Sequence, residues 1–164
     1  MSEPEVWLRG PLEDVITELQ PVVHSLMQVR EEIAAAASLT PEQLWARPGG
    51  AASIGFHLMH LAGSLDRLLT YAHGRPLNAA QRAALEAEGR EHPSTSAETL
   101  VSLALNAIDA AIAQVRGTAL CTLDEPRGVG RARLPSTVLG LLFHAAEHAQ
   151  RHSAQILTTR KVIG

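Results

Sequence analysis

Glycine and proline divide the chain into four helix-length blocks, and this punctuation constrains the fold more than any other feature. Within each block apolar residues recur at intervals of three or four positions, the spacing of one face of an α-helix. The pattern predicts long helices over 21–38, 53–72, 97–116 and 136–159. Four long amphipathic helices are typical of an all-α four-helix bundle. No alternation of apolar and polar residues is long enough to predict a sheet.

Local signals at the block ends support these boundaries. Pro21 suits the first turn of a helix, and Ser53, Ser96 and Ser136 can each cap a helix N-terminus. Residues 40–43, Thr-Pro-Glu-Gln, have the form of a capping box and predict a short helix before the second long one. The remaining predictions are a short separate helix at 12–19, a crossover at 75–96 with a short helix after Asn78, and an irregular loop or loose hairpin at 118–134.

Composition and charge limit the class of protein. The chain has 164 residues, of which 46% are hydrophobic, and this suits a single domain over 1–164. A formal net charge of −3 provides no basic surface for nucleic acid. One cysteine, Cys121, excludes an internal disulfide and a multi-cysteine zinc site. Neither a signal peptide nor a continuous apolar run of about 18 residues is visible, so we expect a cytoplasmic protein without a membrane span.

Five of the eight histidines fall in the second and fourth predicted helices. At 100° per residue, His144, His148 and His152 form one stripe beside the apolar face of the fourth helix. His57 and His60 lie beside the apolar face of the second helix in the same way. Two helices with such faces can point their imidazoles at each other.

This arrangement indicates a metal site. Imidazoles at i and i+4 stand one turn apart and can reach one ion, and a third from another helix gives the three-nitrogen pattern of catalytic zinc. His144, His148 and His152 cannot all bind one ion, because eight residues rise about 12 Å. Spacing alone leaves open which of them is not a ligand. Histidines at this spacing also occur without metal, where they only pack or respond to pH.

The other candidate residues carry weaker signals. His24 lies opposite the apolar stripe of its helix and is expected to be solvent-exposed, and His73 and His92 fall at loop positions without an evident role. No acidic residue shares either histidine stripe, since Glu147 lies about 100° away, so an obvious general base is missing. Cys121 lies in the long loop, where a lone free cysteine is more often inert than reactive.

Residues 53–67 and 148–156, the latter reading His-Ala-Gln-Arg-His-Ser-Ala-Gln-Ile, resemble the DinB/YfiT-like superfamily of metal-dependent enzymes. The resemblance covers most of the chain. It implies a four-helix bundle with up-down-down-up topology, which suits the long crossover between the second and third long helices. It also implies that His60, His148 and His152 bind zinc or nickel. The family's HRGQ-like run is matched only at its ends, by His152 and Gln155.

Three further residues are candidates for contacts with these ligands or with the substrate. Gln155 lies one turn beyond His152 on the same stripe and is placed for such a hydrogen bond. His57 and His144 have no role implied by the resemblance, and either could serve as the missing base.

The superfamily includes thiol S-transferases that use low-molecular-weight thiols, as well as hydrolases. The resemblance therefore implies a metal-dependent transferase or hydrolase acting on a small molecule. The alternative is a non-catalytic metal-binding or stress-response bundle. Leu139 and Leu157 lie on the side of the fourth helix opposite its histidines and need to be covered. This predicts a homodimer packed through helices, with cover by a neighbouring helix of the same chain as the alternative.

Overall fold

The structure is a computed structural model that describes residues 3–164. Over these residues the chain forms six α-helices and one two-stranded antiparallel sheet. The helices are α1 (Gln20–Ala34), α2 (Pro41–Trp45), α3 (Ile54–Ala72), α4 (Ala79–Ala87), α5 (Ala97–Arg116) and α6 (Val138–Ile163), and the strands are β1 (Pro126–Val129) and β2 (Leu134–Thr137). Short 3-10 turns at Val6–Leu8, Thr17–Leu19, Ala35–Ser38, Pro48–Gly50 and Leu120–Thr122 complete the secondary structure.

The four long helices confirm the predicted all-α fold. Three predicted N-terminal caps are present: Ser53 accepts a hydrogen bond from the Phe56 amide, Ser96 does the same for α5, and residues 40–43 form a reciprocal capping box. The first helix ends in a 3-10 turn over Ala35–Ser38. These side chains satisfy amide groups that have no partner inside a helix.

Two predicted boundaries are wrong. The segment 12–19 is not a helix apart from its last 3-10 turn, because the Gln20 side chain hydrogen-bonds to the backbone of Leu12 and Val15 and holds this stretch in an irregular conformation. The fourth helix is capped by Thr137 and not by Ser136, because Ser136 belongs to β2.

The hairpin β1–β2 corrects the expectation that the chain has no sheet. Pro126 pairs with Thr137 and Val129 with Leu134, and the turn between the strands places Gly130 and Arg133 at positive φ of 69° and 48°. Each strand has only four residues, which is too short for a pattern of alternating hydrophobicity to be recognised. The hairpin leads directly into α6.

The long helices pack in an order that differs from their order in the chain. α3 contacts α5 and α6, and α1 contacts the same two helices from the other side of the bundle. α1 and α6 run parallel, since Gln150 donates to the Ser25 carbonyl and Ser153, one turn further on, donates to Glu32 of the later part of α1.

The direction of α5 completes the topology. The Gln114 side chain donates to the Leu69 carbonyl, so α3 and α5 place their C-terminal ends together and are parallel. Arg116 at the end of α5 pairs with Asp14, just before α1, so these two helices are antiparallel. The bundle is therefore up-down-down-up, and the crossover that carries α4 connects the two parallel helices.

One continuous core contains buried aliphatic side chains from all four long helices. Among the described helices, α5 alone is long and apolar enough to cross a membrane by length and composition, yet its buried residues form one wall of this core. Leu139 packs against the core, and Leu157 is half-buried. The homodimer remains a prediction.

Candidate metal centre

Two helices bring the predicted ligands together. α3 and α6 are antiparallel neighbours, so His60 faces His148 while His57 faces His152. The Nε2 atoms of His60 and His148 lie 3.0 Å apart. Ligand atoms of His60, His148 and His152 all lie within 4.8 Å of one another, and all three side chains are half-buried. The stripes that the sequence places beside the two apolar faces thus meet at one point.

A carboxylate from the crossover holds the other side of the His60 ring. Glu88 Oε2, directly after α4, lies 2.8 Å from His60 Nδ1. The same carboxylate forms a two-point ion pair with Arg67, in which Nη1 contacts Oε1 and Nη2 lies 3.2 Å from Oε2. Burial acts to raise the pKa of the Glu88 carboxyl, but hydrogen bonds from His60 and Arg67 and the charge of Arg67 together lower it. Glu88 is therefore ionised at neutral pH.

Gly63 makes room for this ion pair. A Cβ at this position of α3 would overlap the Glu88 carboxylate and would lie 2.7 Å from Arg67 Nη1. The glycine is therefore required by the close approach of Glu88 to the helix surface. No spacing or motif in the sequence indicates a role for either Gly63 or Glu88.

His152 has a partner of its own. Its Nδ1 lies 2.9 Å from Nδ1 of the buried His57, so one ring donates to the other. Burial, followed by the nearby imidazoles, lowers the pKa of His152 to about 3, and burial also lowers the pKa of His148 to about 4. The pKa of His57 is lowered for the same reasons. These rings are therefore neutral at pH 7, and each carries one nitrogen lone pair. In the pair of His57 and His152, the ring that donates keeps its lone pair free to bind a metal.

The family of the chain follows from comparison with known proteins. A sequence model of the DinB superfamily matches residues 14–156. The chain belongs to the DinB superfamily. A comparison with curated protein sequences finds no match.

Among solved structures, this DinB-superfamily chain is similar to YfiT from Bacillus subtilis. That protein is described as a probable metal-dependent hydrolase with an unusual four-helix bundle topology. The TM-score is 0.65 at 18% sequence identity, and the match covers 94% of this chain and 93% of that chain. At this level of identity the likeness establishes the shared fold alone.

The residues at this point of the DinB-superfamily bundle fit a divalent ion. Two nitrogen ligands of one zinc lie at most about 4.2 Å apart, twice a bond of roughly 2.1 Å, and the observed spacing of the three imidazoles brackets this distance. His148 Nδ1 is buried and has no hydrogen-bond partner among the described residues, so nothing on the protein side competes for the orientation of this ring. The set consists of three imidazoles and no thiolate, which suits zinc or nickel.

The remaining predicted residues lie outside this group. His144 Nδ1 is 2.7 Å from Glu147 Oε1 on its own helix, and Gln155 is exposed on α6. The exposure predicted for His24 is wrong: the residue is half-buried, and its Nε2 is buried without a hydrogen-bond partner among the described residues. It lines a cavity together with Glu5 and Trp7 of the segment before α1 and with Gln150 of α6. Cys121 is exposed.

A second feature borders the centre. A cavity of about 620 Å³ lies among α3, α4 and α5, and both Gly63 and Glu88 line it. Half of its other lining residues are alanine or leucine, and the polar side chains of Asp66, Asn106 and Gln114 also line it. His73 and His92, predicted to have no role, are exposed and also line this cavity.

Proposed function

We propose that this chain is a metal-dependent hydrolase in which His60, His148 and His152 hold one divalent ion, zinc or nickel. The convergence of these three imidazoles from α3 and α6 is the observation that carries the proposal. The description of YfiT as a probable metal-dependent hydrolase supports it. Three nitrogen ligands leave coordination positions for water or substrate, as in catalytic zinc sites.

When bound, such an ion lowers the pKa of a coordinated water or thiol and so supplies a nucleophile near neutral pH. The protein residues present that ion with a fixed set of lone pairs. Glu88 accepts a hydrogen bond from Nδ1–H of His60 and thereby leaves the Nε2 lone pair free. His57 Nδ1 can accept a hydrogen bond from Nδ1–H of His152 in the same way. Neutral, oriented imidazoles are the state in which histidine binds a metal.

Neither His57, one of the two predicted bases, nor Glu88 is well placed to exchange protons with a substrate. His57 is buried beneath the ligands, with 7% of its surface exposed. Glu88 lies behind the ring of His60, on the side away from His148. We therefore assign orienting roles to both residues, and activation of the nucleophile rests on the ion.

Transfer of a low-molecular-weight thiol is the second candidate reaction. The same open, all-imidazole ligand set would lower the pKa of a bound thiol as readily as that of water. A small-molecule substrate, a cytoplasmic location and a homodimer complete the proposal, and a non-catalytic metal-binding bundle is its alternative.

Elemental analysis of protein purified without a histidine tag tests the metal site. We expect about one zinc or nickel ion per chain. Hydrolysis of a panel of aryl esters and amides, compared with conjugation of cysteine to an electrophile, then separates hydrolase from thiol transferase. Metal at one ion per chain with neither activity would favour the non-catalytic alternative. Absence of binding after incubation with zinc would refute the proposal.

A further inference from the structure

Glu88 differs from every other acidic residue that the structure describes. It is the only Asp or Glu among residues 3–164 that is buried, with 9% of its surface exposed. It follows α4, a helix without a single buried residue. Burying an ionised carboxylate is costly unless it is paired, and aliphatic packing of α4 does not offset that cost. Its position therefore depends on the polar partners that it meets on α3.

Those partners fix the carboxylate at two points. Arg67 holds both oxygens, and Gly63 lets the group approach the helix without a Cβ in its way. A two-point arginine–carboxylate pair restricts rotation of the carboxylate plane, since the guanidinium donors form a rigid fork. One oxygen is then left directed at His60 Nδ1, at 2.8 Å.

The contact determines what His60 can do on its other side. A carboxylate accepts only from a protonated nitrogen, so His60 carries its proton on Nδ1 and presents the Nε2 lone pair toward His148. Phe56 lies parallel to the same ring, with centroids 5.5 Å apart and an interplanar angle of 10°, and limits its rotation. The contact with Glu88 thus sets the tautomer of His60, and Glu88 and Phe56 together set the direction of its ring.

We propose that Glu88 is a positioning residue of the metal centre, through which the crossover between α3 and α5 determines how tightly His60 binds the ion. The inference rests on the proposed function, because it assumes that His60 is a ligand. Carboxylates that accept from a ligating histidine commonly contribute a factor of 10–100 to metal affinity. Glu88 itself contacts neither metal nor substrate.

Glu88→Gln tests this inference, because it keeps the size of the side chain and removes the charge. Zinc affinity is measured by competition with a chromophoric chelator. We expect the dissociation constant to rise roughly 10- to 100-fold. Glu147→Gln is the matched control: Glu147 also joins a histidine and an arginine, but its histidine lies outside the three-imidazole group. The zinc dissociation constant of Glu147→Gln should stay within about twofold of that of the wild type.

A second measurement does not require metal. Long-range proton–nitrogen correlation spectra of the metal-free protein report the tautomer of each imidazole. His60 should be protonated at Nδ1 in the wild type and should lose this preference in Glu88→Gln, which a purely structural role of Glu88 would not predict. An unchanged tautomer, or an affinity within twofold of the wild type, overturns the inference.

The two proposals fail in different ways. If the wild type binds no zinc, the proposed function fails, and the tautomer of His60 still decides the role of Glu88. If the wild type binds zinc and Glu88→Gln binds it equally well, only the positioning role fails. If Glu88→Gln does not fold, Glu88→Asp takes its place. The shorter side chain keeps the negative charge beside Arg67 but no longer brings a carboxylate oxygen to His60 Nδ1. The same loss of affinity is expected.

Discussion

Two clusters in this protein have the same composition and very different settings. Glu88 joins His60 to Arg67, and Glu147 joins His144 to Arg151. The carboxylate–imidazole distances are nearly equal, 2.8 Å in the first cluster and 2.7 Å in the second. In the first, the carboxylate and guanidinium side chains are each 10% exposed, whereas in the second they are 34% and 63% exposed.

The difference shows that hydrogen-bond geometry alone does not identify a functional histidine. The second cluster lies within three turns of α6 at spacings of i+3 and i+4, so it forms whenever that helix forms. The first joins residues 28 and 21 positions apart and requires the crossover to dock on α3. Only the first is connected to imidazoles of another helix.

Replacing single histidines of α6 should have the largest effect, because His148 and His152 lie beside His60 of the first cluster whereas His144 belongs to the second. His148→Ala and His152→Ala should abolish stoichiometric metal, because each removes one of three ligands. His144→Ala should bind nearly as much metal as the wild type. Metal content per chain, measured after equilibration with zinc, checks this. If His144 were essential and His152 dispensable, α6 would supply the other pair of its histidines to the metal.

Gly63→Ala should damage the buried cluster from the helix side. The added methyl group meets the Glu88 carboxylate and Arg67, so the crossover must shift. We expect a loss of about 1–3 kcal/mol in the free energy of unfolding, measured with urea. Gly89→Ala is the control, since a Cβ at that position meets nothing within 4 Å. Equal stability of the two variants would show that Glu88 does not need its close approach to α3.

Acid should destabilise the metal-free protein through the buried imidazoles. Burial lowers the pKa of His148 to about 4 and of His152 to about 3, against 6.5 for the ordinary side chain. Below pH 6.5 these two histidines bind protons in the unfolded chain but not in the folded protein. The free energy of unfolding is therefore greatest above that pH and falls toward pH 4. Urea midpoints at pH 7 and pH 5 measure the fall.

His152→Gln supplies the control for this pH dependence. Glutamine has no proton to gain in this range, so the difference between pH 7 and pH 5 should be smaller than in the wild type. A difference equal to that of the wild type would show that His152 does not contribute.

Glu147→Gln should have the smallest effect. The pair that Glu147 makes with Arg151 is exposed, and exposed i,i+4 pairs contribute about 0.3–0.5 kcal/mol. The free energy of unfolding should therefore change by no more than about 0.5 kcal/mol, as judged by urea denaturation. A loss comparable to that of Gly63→Ala would mean that burial does not distinguish the clusters.

The sequence predicts the long helices well because their signals are local. Apolar spacing and hydroxyl caps such as Ser53 and Ser96 depend on residues within one or two turns. For the segment 118–134 the sequence predicts only an irregular loop or loose hairpin, because the strands are too short to show an alternating pattern. The exposure of His24 is predicted wrongly because residues that line the same cavity, Glu5 and Trp7 before α1 and Gln150 on α6, lie outside its helix.

For the site, the sequence yields the histidine stripes but not their partners. Arg67 shares the stripe of His60 and is buried, and a buried arginine requires an acid. Nothing in the spacing indicates which acid, because Glu88 arrives from a different element. Likewise, only the packing of α6 on α3 brings His148 and His152 close to His60 and leaves His144 outside this group.

The order in which the helices pack has a consequence for the life of the protein in the cell. The two faces of the centre come from α3 and α6, and His60 and His148 are separated by 88 positions of chain. During synthesis His60 leaves the ribosome long before either histidine of α6 has been added. An ion captured early would have to close a long unstructured loop, at an entropic cost that rises with loop length. If the site binds a metal as proposed, we therefore expect the ion to be acquired after translation, by a bundle that its aliphatic core has already assembled.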